Sequence, residues 1–137
     1  MNGVLVDSCV LLDLFTDDPY WGDWSADILV RCQTVNTLYI NAIIYAEISI
    51  GFANINEMDA ALAGLNVKVL EIPKNALFLA GKVFLQYRKN KGTKYSPLPD
   101  FFIGAHAFVA DLQLITRDLR RYTTYFPELK LVHPEIS

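Results

Sequence analysis

A chain of 137 residues, 53% of them hydrophobic, carries enough apolar side chain to bury a sizeable core and too much to be a disordered segment. Its 12 Lys and Arg against 15 Asp and Glu leave a net charge of −3, which excludes a surface that coats nucleic acid indiscriminately. The longest apolar stretch, near "FFIGAHAFVA" (101–110), is too short to span a bilayer, and no basic region precedes the first apolar run as in a secretory leader. Cys9 and Cys32 lack metal-ligand spacing and read as two free, buried thiols, so the expected location is cytoplasmic.

Residues 3–7 (GVLVD) read as a short buried strand that ends in a polar stop. Residues 8–15 follow as a helix with Ser8 as candidate N-cap, broken by "TDDP" (16–19), where Pro19 disfavours helix in the residue before it. A second helix is expected over 21–32, a strand over 37–41 and a helix over 42–52. Another helix covers 55–65, and 67–72 alternates as a strand. Apolar positions 76, 80, 83, 84 and 87 have helical spacing, and 89–99 is a loop rich in Lys, Gly and Pro. Residues 100–111 form a helix that is apolar nearly all round and therefore central, and 112–116 and 129–132 are the closing strands. Strands that alternate with helices imply an α/β fold with a parallel sheet covered on both faces, in one domain over 1–137.

A carboxylate at the end of a buried strand needs a partner, a proton or a metal ion, and Asp7 stands there. In open α/β sheets the working site lies beyond the carboxyl ends of the strands. Four acids fall at such places: Asp7, Glu47 in the helix after 37–41, Asp100 at the start of the central helix, and Asp118 just past 112–116. Taken singly, Asp100 is also explained as a helix N-terminal acid and Asp118 as a cap. Glu47, among Ile43, Ile44, Ile48 and Ile50, is harder to place in solvent. Four ionised carboxylates cannot crowd together unaided, and a hard cation such as Mg²⁺ or Mn²⁺ resolves the repulsion with oxygen ligands. His106 projects to another side of the helix from Asp100 and reads as a packed histidine. Ser8 and Thr116 either orient the acids or serve only as caps. Such a site suits phosphodiester hydrolysis, and no phosphate-cradling glycine loop or Ser-His-Asp set points elsewhere. Two basic groups, one of Lys82, Arg88, Lys89, Lys91 and Lys94 and one of Arg117, Arg120 and Arg121, read either as solvated helix faces or as a local polyanion track.

These residues carry a resemblance. "VLVDSCVLLD" (4–13), "NAIIYAEISIG" (41–51), "DFFIGAHA" (100–107) and "LITRDLRRYTTYFPELKLVHP" (114–134) are similar, in this order and spacing, to PIN-domain ribonucleases of the VapC toxin kind. The resemblance covers essentially the whole chain. It implies a PIN-like three-layer α/β/α sandwich with a mostly parallel central sheet. It also implies that Asp7, Glu47, Asp100 and Asp118 are the catalytic and metal-binding acids, with Ser8 and Thr116 as supporting hydroxyls. The expected activity is Mg²⁺- or Mn²⁺-dependent cleavage of RNA, for which Lys89, Lys91, Lys94, Arg117, Arg120 and Arg121 are candidate contacts. The expected partners are a second copy of the chain and a VapB-type antitoxin. Phe15, Tyr20, Trp21 and Trp24, interleaved with Asp17, Asp18 and Asp23, suit a groove for an amphipathic segment with basic ends. A PIN-domain RNA-processing nuclease that is no toxin, and a non-catalytic binding module on the same fold, are the alternatives. A receiver domain would need paired acids after the first strand, and a haloacid-type phosphatase Asp-x-Asp; "VDSC" supplies neither.

Overall fold

The computed structural model describes residues 3–94 and 98–134. Five short strands, β1 (Gly3–Val6), β2 (Thr37–Asn41), β3 (Lys68–Leu70), β4 (Gln113–Ile115) and β5 (Leu131–Val132), form one sheet in the order β3-β2-β1-β4-β5. Every pairing is parallel, with Val4 opposite Leu38 on one side and Leu5 opposite Leu114 on the other. All four residues of β1 are buried. A strand buried on both faces reads as a continuous apolar run, which is why "VLV" does not alternate.

The helices α1 (Ser8–Phe15), α2 (Gly22–Gln33), α3 (Ala42–Ile48), α4 (Ile55–Gly64), α5 (Lys74–Lys89), α6 (Pro99–Val109) and α7 (Arg120–Thr123) flank the sheet. The result is the expected sandwich with a parallel sheet. The chain leaves β1 towards β2 and β3, then crosses to the opposite side for β4 and β5. That reversal opens a crevice at the carboxyl ends of β1 and β4, where ligands of such sheets bind. The two strand ends are tied there by the Asp7 N–H, which donates to the Ile115 carbonyl at 2.9 Å.

Several boundaries differ from expectation. Asp7, not Ser8, is the N-cap of α1: its backbone is extended and its carboxylate accepts from the Ser8 N–H. The helix expected over 42–52 stops at Ile48 and continues only as a 3₁₀ turn over Ser49–Gly51. The Ser49 hydroxyl donates to the Ala46 carbonyl at 2.6 Å, so a side chain competes for the last turn. β3 keeps three of the six residues expected, being an edge strand paired only with β2. α5 extends beyond 76–87 at both ends, beginning after Pro73. α7 has no counterpart among the expected elements. Residues 95–97 of the expected loop lie outside the described residues.

α6 is central as its composition suggests, with Phe101, Ile103, Gly104, Ala105, His106 and Ala107 buried. His106 is packed as expected. Its Nδ1 lies 3.1 Å from the Asn41 side-chain amide, whose oxygen caps α3 through the Ile44 N–H. Burial lowers the His106 pKa, which favours the neutral ring. A second apolar cluster joins Ala76, Ala80 and Val83 of α5 to Phe101 and Ala105 of α6 and to Phe126. Phe126 donates its N–H to the Tyr122 carbonyl at 2.8 Å, so this cluster anchors the end of α7.

Gly104 permits that anchoring: a Cβ there would stand 2.5 Å from Phe126 Cε2 and 2.6 Å from its Cδ2. Gly104→Ala adds about 1 kcal/mol of helix propensity. Overpacking against a ring that is 5% exposed costs about 1–3 kcal/mol. A Cβ at 2.5 Å falls in the upper part of that range, so the clash wins and urea denaturation is expected to show a net loss of about 1–2 kcal/mol; an unchanged or higher midpoint would mean that Phe126 is not held.

Candidate active site

The crevice is organised around Asp7, which is wholly buried at the end of β1. Its Oδ1 accepts from the Ser8 N–H at 2.8 Å. Its Oδ2 accepts from the Thr116 hydroxyl at 2.8 Å and from the Tyr122 hydroxyl at 2.9 Å. The buried charge is therefore met by donors from α1, the end of β4 and α7. Thr116 Oγ1 in turn accepts from the Asp118 N–H at 3.1 Å, which fixes the turn that carries the second acid of the crevice. Burial and the charge of Asp7 push the Tyr122 phenol well above its ordinary pKa, so it remains a donor.

Glu47 projects from α3, and burial raises its pKa; the Ser8 hydroxyl opposes that shift and the charge of Asp7 adds to it. Its Oε1 is buried with no hydrogen-bond partner. Asp100, in the first turn of α6, is pushed up to about 6. Burial is the main cause; Arg121 opposes it, and Asp7, Glu47 and Asp118 each raise it further. Asp100 thus feels all three of the other acids, and the four together come from four separate parts of the fold: the end of β1, α3, α6 and the turn after β4.

A cation of the protein's own stands among them. Arg121 Nε meets Asp118 Oδ2 at 3.0 Å, and its guanidinium lies 3.8 Å from Asp100 Oδ1. Among the described residues no three His, Cys, Asp or Glu side chains are gathered as a ready-made ion cage. The donor set nevertheless suits a hard divalent ion: every available group is a carboxylate or hydroxyl oxygen, and the orphaned Glu47 Oε1 is an acceptor without a donor. Mg²⁺ keeps several waters and is bound through one or two carboxylates, so a closed cage is not required.

The expected basic contacts divide. Arg117 is built into the fold: its guanidinium pairs with both oxygens of Asp13, at 2.8 and 3.2 Å, and lies 5.6 Å from the Trp21 ring. Asp13, 3% exposed, also accepts from the Ser25 hydroxyl at 2.9 Å. Arg121 is held by the acids. Arg120 is exposed and lines a cleft of about 380 Å³ with Arg117, Asp118 and His133. Lys89 ends α5, Lys91 and Lys94 follow it, and all three are exposed and form no ion pair among the described residues.

Two contributors escaped the sequence. Tyr122 lies four residues beyond Asp118, the spacing of one helical turn, but without α7 that spacing had no meaning. Asp13 sits in "VLLDLF", an acid inside an apolar run just as Asp7 is, and that was the available signal.

The sheet order and the acidic crevice at its reversal define a class that the comparisons identify. The family described as PIN domain matches residues 4–127, and the chain belongs to it. No curated protein matches the chain in sequence. Solved structures match its fold over nearly their whole length. The VapBC2 complex of Rickettsia felis bound to a promoter DNA fragment has a TM-score of 0.75 at 16% identity, covering 97% of this chain and 99% of that one. VapBC-1 of nontypeable Haemophilus influenzae gives 0.71 at 19%, with 96% and 97% covered. DNA-bound VapBC of Salmonella typhimurium gives 0.69 at 20%, with 97% and 98% covered.

The raised pKa of Asp100 has a thermodynamic sign. Its carboxyl holds a proton up to about pH 6 in the fold but only to about 3.8 when unfolded. Stability of the metal-free protein therefore rises as pH falls from about 6 towards 4, and the ionisation penalty is fully present above 6. Two pKa units correspond to about 3 kcal/mol at most. Asp100→Asn is expected to raise the apo melting temperature by several degrees near pH 8 and hardly at all near pH 4.5. A variant that melts lower than wild type at both pH values would show that the carboxylate is a structural partner of Arg121.

Proposed function

We propose that this chain is a Mg²⁺- or Mn²⁺-dependent endoribonuclease, the toxin of a type II toxin–antitoxin pair. The observation that carries the reading is the set of mutually felt carboxylates at the sheet's reversal, Glu47 among them with an oxygen left without a donor. Membership of the PIN-domain family, whose members are nucleases that generally use divalent ions, supports it. So do the VapBC complexes among its structural relatives.

In this reading Asp7, Glu47, Asp100 and Asp118 hold the ion. When bound, a divalent cation activates water and neutralises charge developing on the phosphate. Asp7 contributes a ligand that cannot swing away, because its hydrogen bonds come from three elements. Arg120, and the lysines after α5, hold the RNA backbone beside the site. Charge repulsion from the uncompensated acids keeps RNA away from the ion-free protein. Cleavage of a mixed RNA substrate in Mn²⁺ is the test. Asp7→Asn keeps the shape and removes a ligand charge. Indirect supports of a metal site cost 10–100-fold when removed, so this variant is expected to lose at least about 100-fold in rate. Mn²⁺ should also cease to raise its melting temperature. Undiminished cleavage by a folded Asp7→Asn protein would refute the site, and absence of metal-dependent cleavage by wild type would refute the enzyme.

The partner in this reading is a VapB-type antitoxin, with the toxin itself a homodimer. Exposed apolar residues on α5, Leu77, Phe78 and Leu85, support the second copy. At the start of α2, Tyr20 is 81% exposed, and the Trp21 and Trp24 rings meet edge to face at 6.2 Å. Asp17 and Asp23 are exposed around them. Half-exposed aromatics ringed by acids suit an amphipathic segment with basic residues. Phe15 does not join them: it packs on Phe52 at 5.1 Å. Trp21→Ala and Trp24→Ala are each expected to weaken capture of the protein encoded beside this one by at least about tenfold. Equal capture by both folded variants would move the docking face elsewhere.

A further inference from the structure

A carboxylate oxygen has room for about two hydrogen bonds, and a carboxylate for about four. At Asp7 the two oxygens are filled unequally. Oδ2 accepts both the Thr116 and the Tyr122 hydroxyls, at 2.8 and 2.9 Å, and is saturated. Oδ1 accepts only the Ser8 N–H, at 2.8 Å, and keeps one acceptor position open among the described residues.

We propose that Tyr122 is a positioning residue that, together with Thr116, closes Oδ2 of Asp7 and leaves Oδ1 as the only oxygen offered to a divalent cation. The proposal rests on the metal-site reading above and adds which atom binds and what selects it. Tyr122 is suited to this by its surroundings. It is 0% exposed and belongs to the main apolar core, so its ring is held on all sides and only the hydroxyl is free to bond. Its backbone is held at both ends of α7, by the Leu119 carbonyl at 3.2 Å and by the Phe126 N–H. Ser8 holds Oδ1 from the α1 side, so the carboxylate plane is clamped and the open position of Oδ1 has one direction. A purely packing role would need a ring but no hydroxyl at this position.

The arrangement makes Tyr122 and Thr116 partly redundant. With one hydroxyl gone Oδ2 keeps a donor but regains an open acceptor position, so the plane is held less firmly and Oδ2 begins to compete. With neither, Oδ2 competes with Oδ1 for the cation and the carboxylate turns about its bond. The two changes should therefore be coupled, unlike changes at independent sites, whose losses in affinity multiply.

The experiment is calorimetric titration of the metal-free full chain with Mn²⁺ and no RNA, beside thermal melts of each protein. Tyr122→Phe removes the hydroxyl and keeps the ring. It is expected to weaken Mn²⁺ binding by about tenfold, in the range found for indirect supports of metal ligands. Thr116→Ser, which keeps a hydroxyl, should bind within about twofold of wild type, whereas Thr116→Val should lose affinity. Tyr122→Phe/Thr116→Val should lose more than the product of the two single losses. Folded Tyr122→Phe with wild-type Mn²⁺ affinity overturns the inference and leaves the nuclease reading standing. Strictly multiplicative losses in the double variant overturn the shared role at Oδ2. Should Tyr122→Phe fail to fold, the Thr116→Val and Thr116→Ser pair decides: equal losses in both would overturn the claim that a hydroxyl on Oδ2 matters. A wild-type chain that binds no Mn²⁺ overturns both this inference and the metal-site reading.

Discussion

The constraint on which this structure depends is the charge of one buried carboxylate. Asp7 is enclosed at the end of the central strand, in a place where an unpaired ion costs several kcal/mol. Each donor that offsets that cost comes from a different part of the chain. Ser8 opens α1, Thr116 ends β4, and Tyr122 lies in α7. The parallel order β3-β2-β1-β4-β5 puts the ends of β1 and β4 side by side, and α7 lies over them. The fold supplies donors to a charge, and the charge specifies how the last elements close on the first.

Around this fixed point the other acids are held less tightly, and in graded fashion. Asp118 leans on Thr116 through its N–H and on Arg121 through its carboxylate. Asp100 has a longer contact to the same arginine and a pKa raised to about 6. Glu47 has an oxygen with no donor at all. Electrostatic strain is thus concentrated away from Asp7, where charge compensation from outside has most to offset. Arg121 relieves part of it and occupies space between Asp100 and Asp118. Two arginines four residues apart play different parts: Arg117 locks α1 to the turn after β4 through Asp13, and Arg121 balances the crevice.

The positions of the acids were readable because periodicity placed strands, and the carboxyl ends of strands are where such sheets work. Asp7 was the plainest, since "GVLVD" leaves no solvent-facing alternative for its carboxylate. The central character of α6 was equally plain from its composition. What could not be read was the network that joins them. Tyr122 needs a four-residue helix with no amphipathic pattern long enough to detect. The commitment of Arg117 to Asp13 spans 104 residues, and no local signal distinguishes that arginine from its neighbour Arg120. The end of α3 turned on a single serine hydroxyl, a choice that propensity alone does not make.

The hydrogen bond between Tyr122 and Asp7 spans 115 residues of chain. A ribosome adding 5–20 residues per second takes roughly 6–23 s to travel that distance. For most of that time the nascent chain already carries Asp7 but none of β4, Thr116 or the phenol. The donors that close Asp7 are therefore made long after the carboxylate they serve, and a chain interrupted before β4 has that carboxylate with only the Ser8 N–H to meet it.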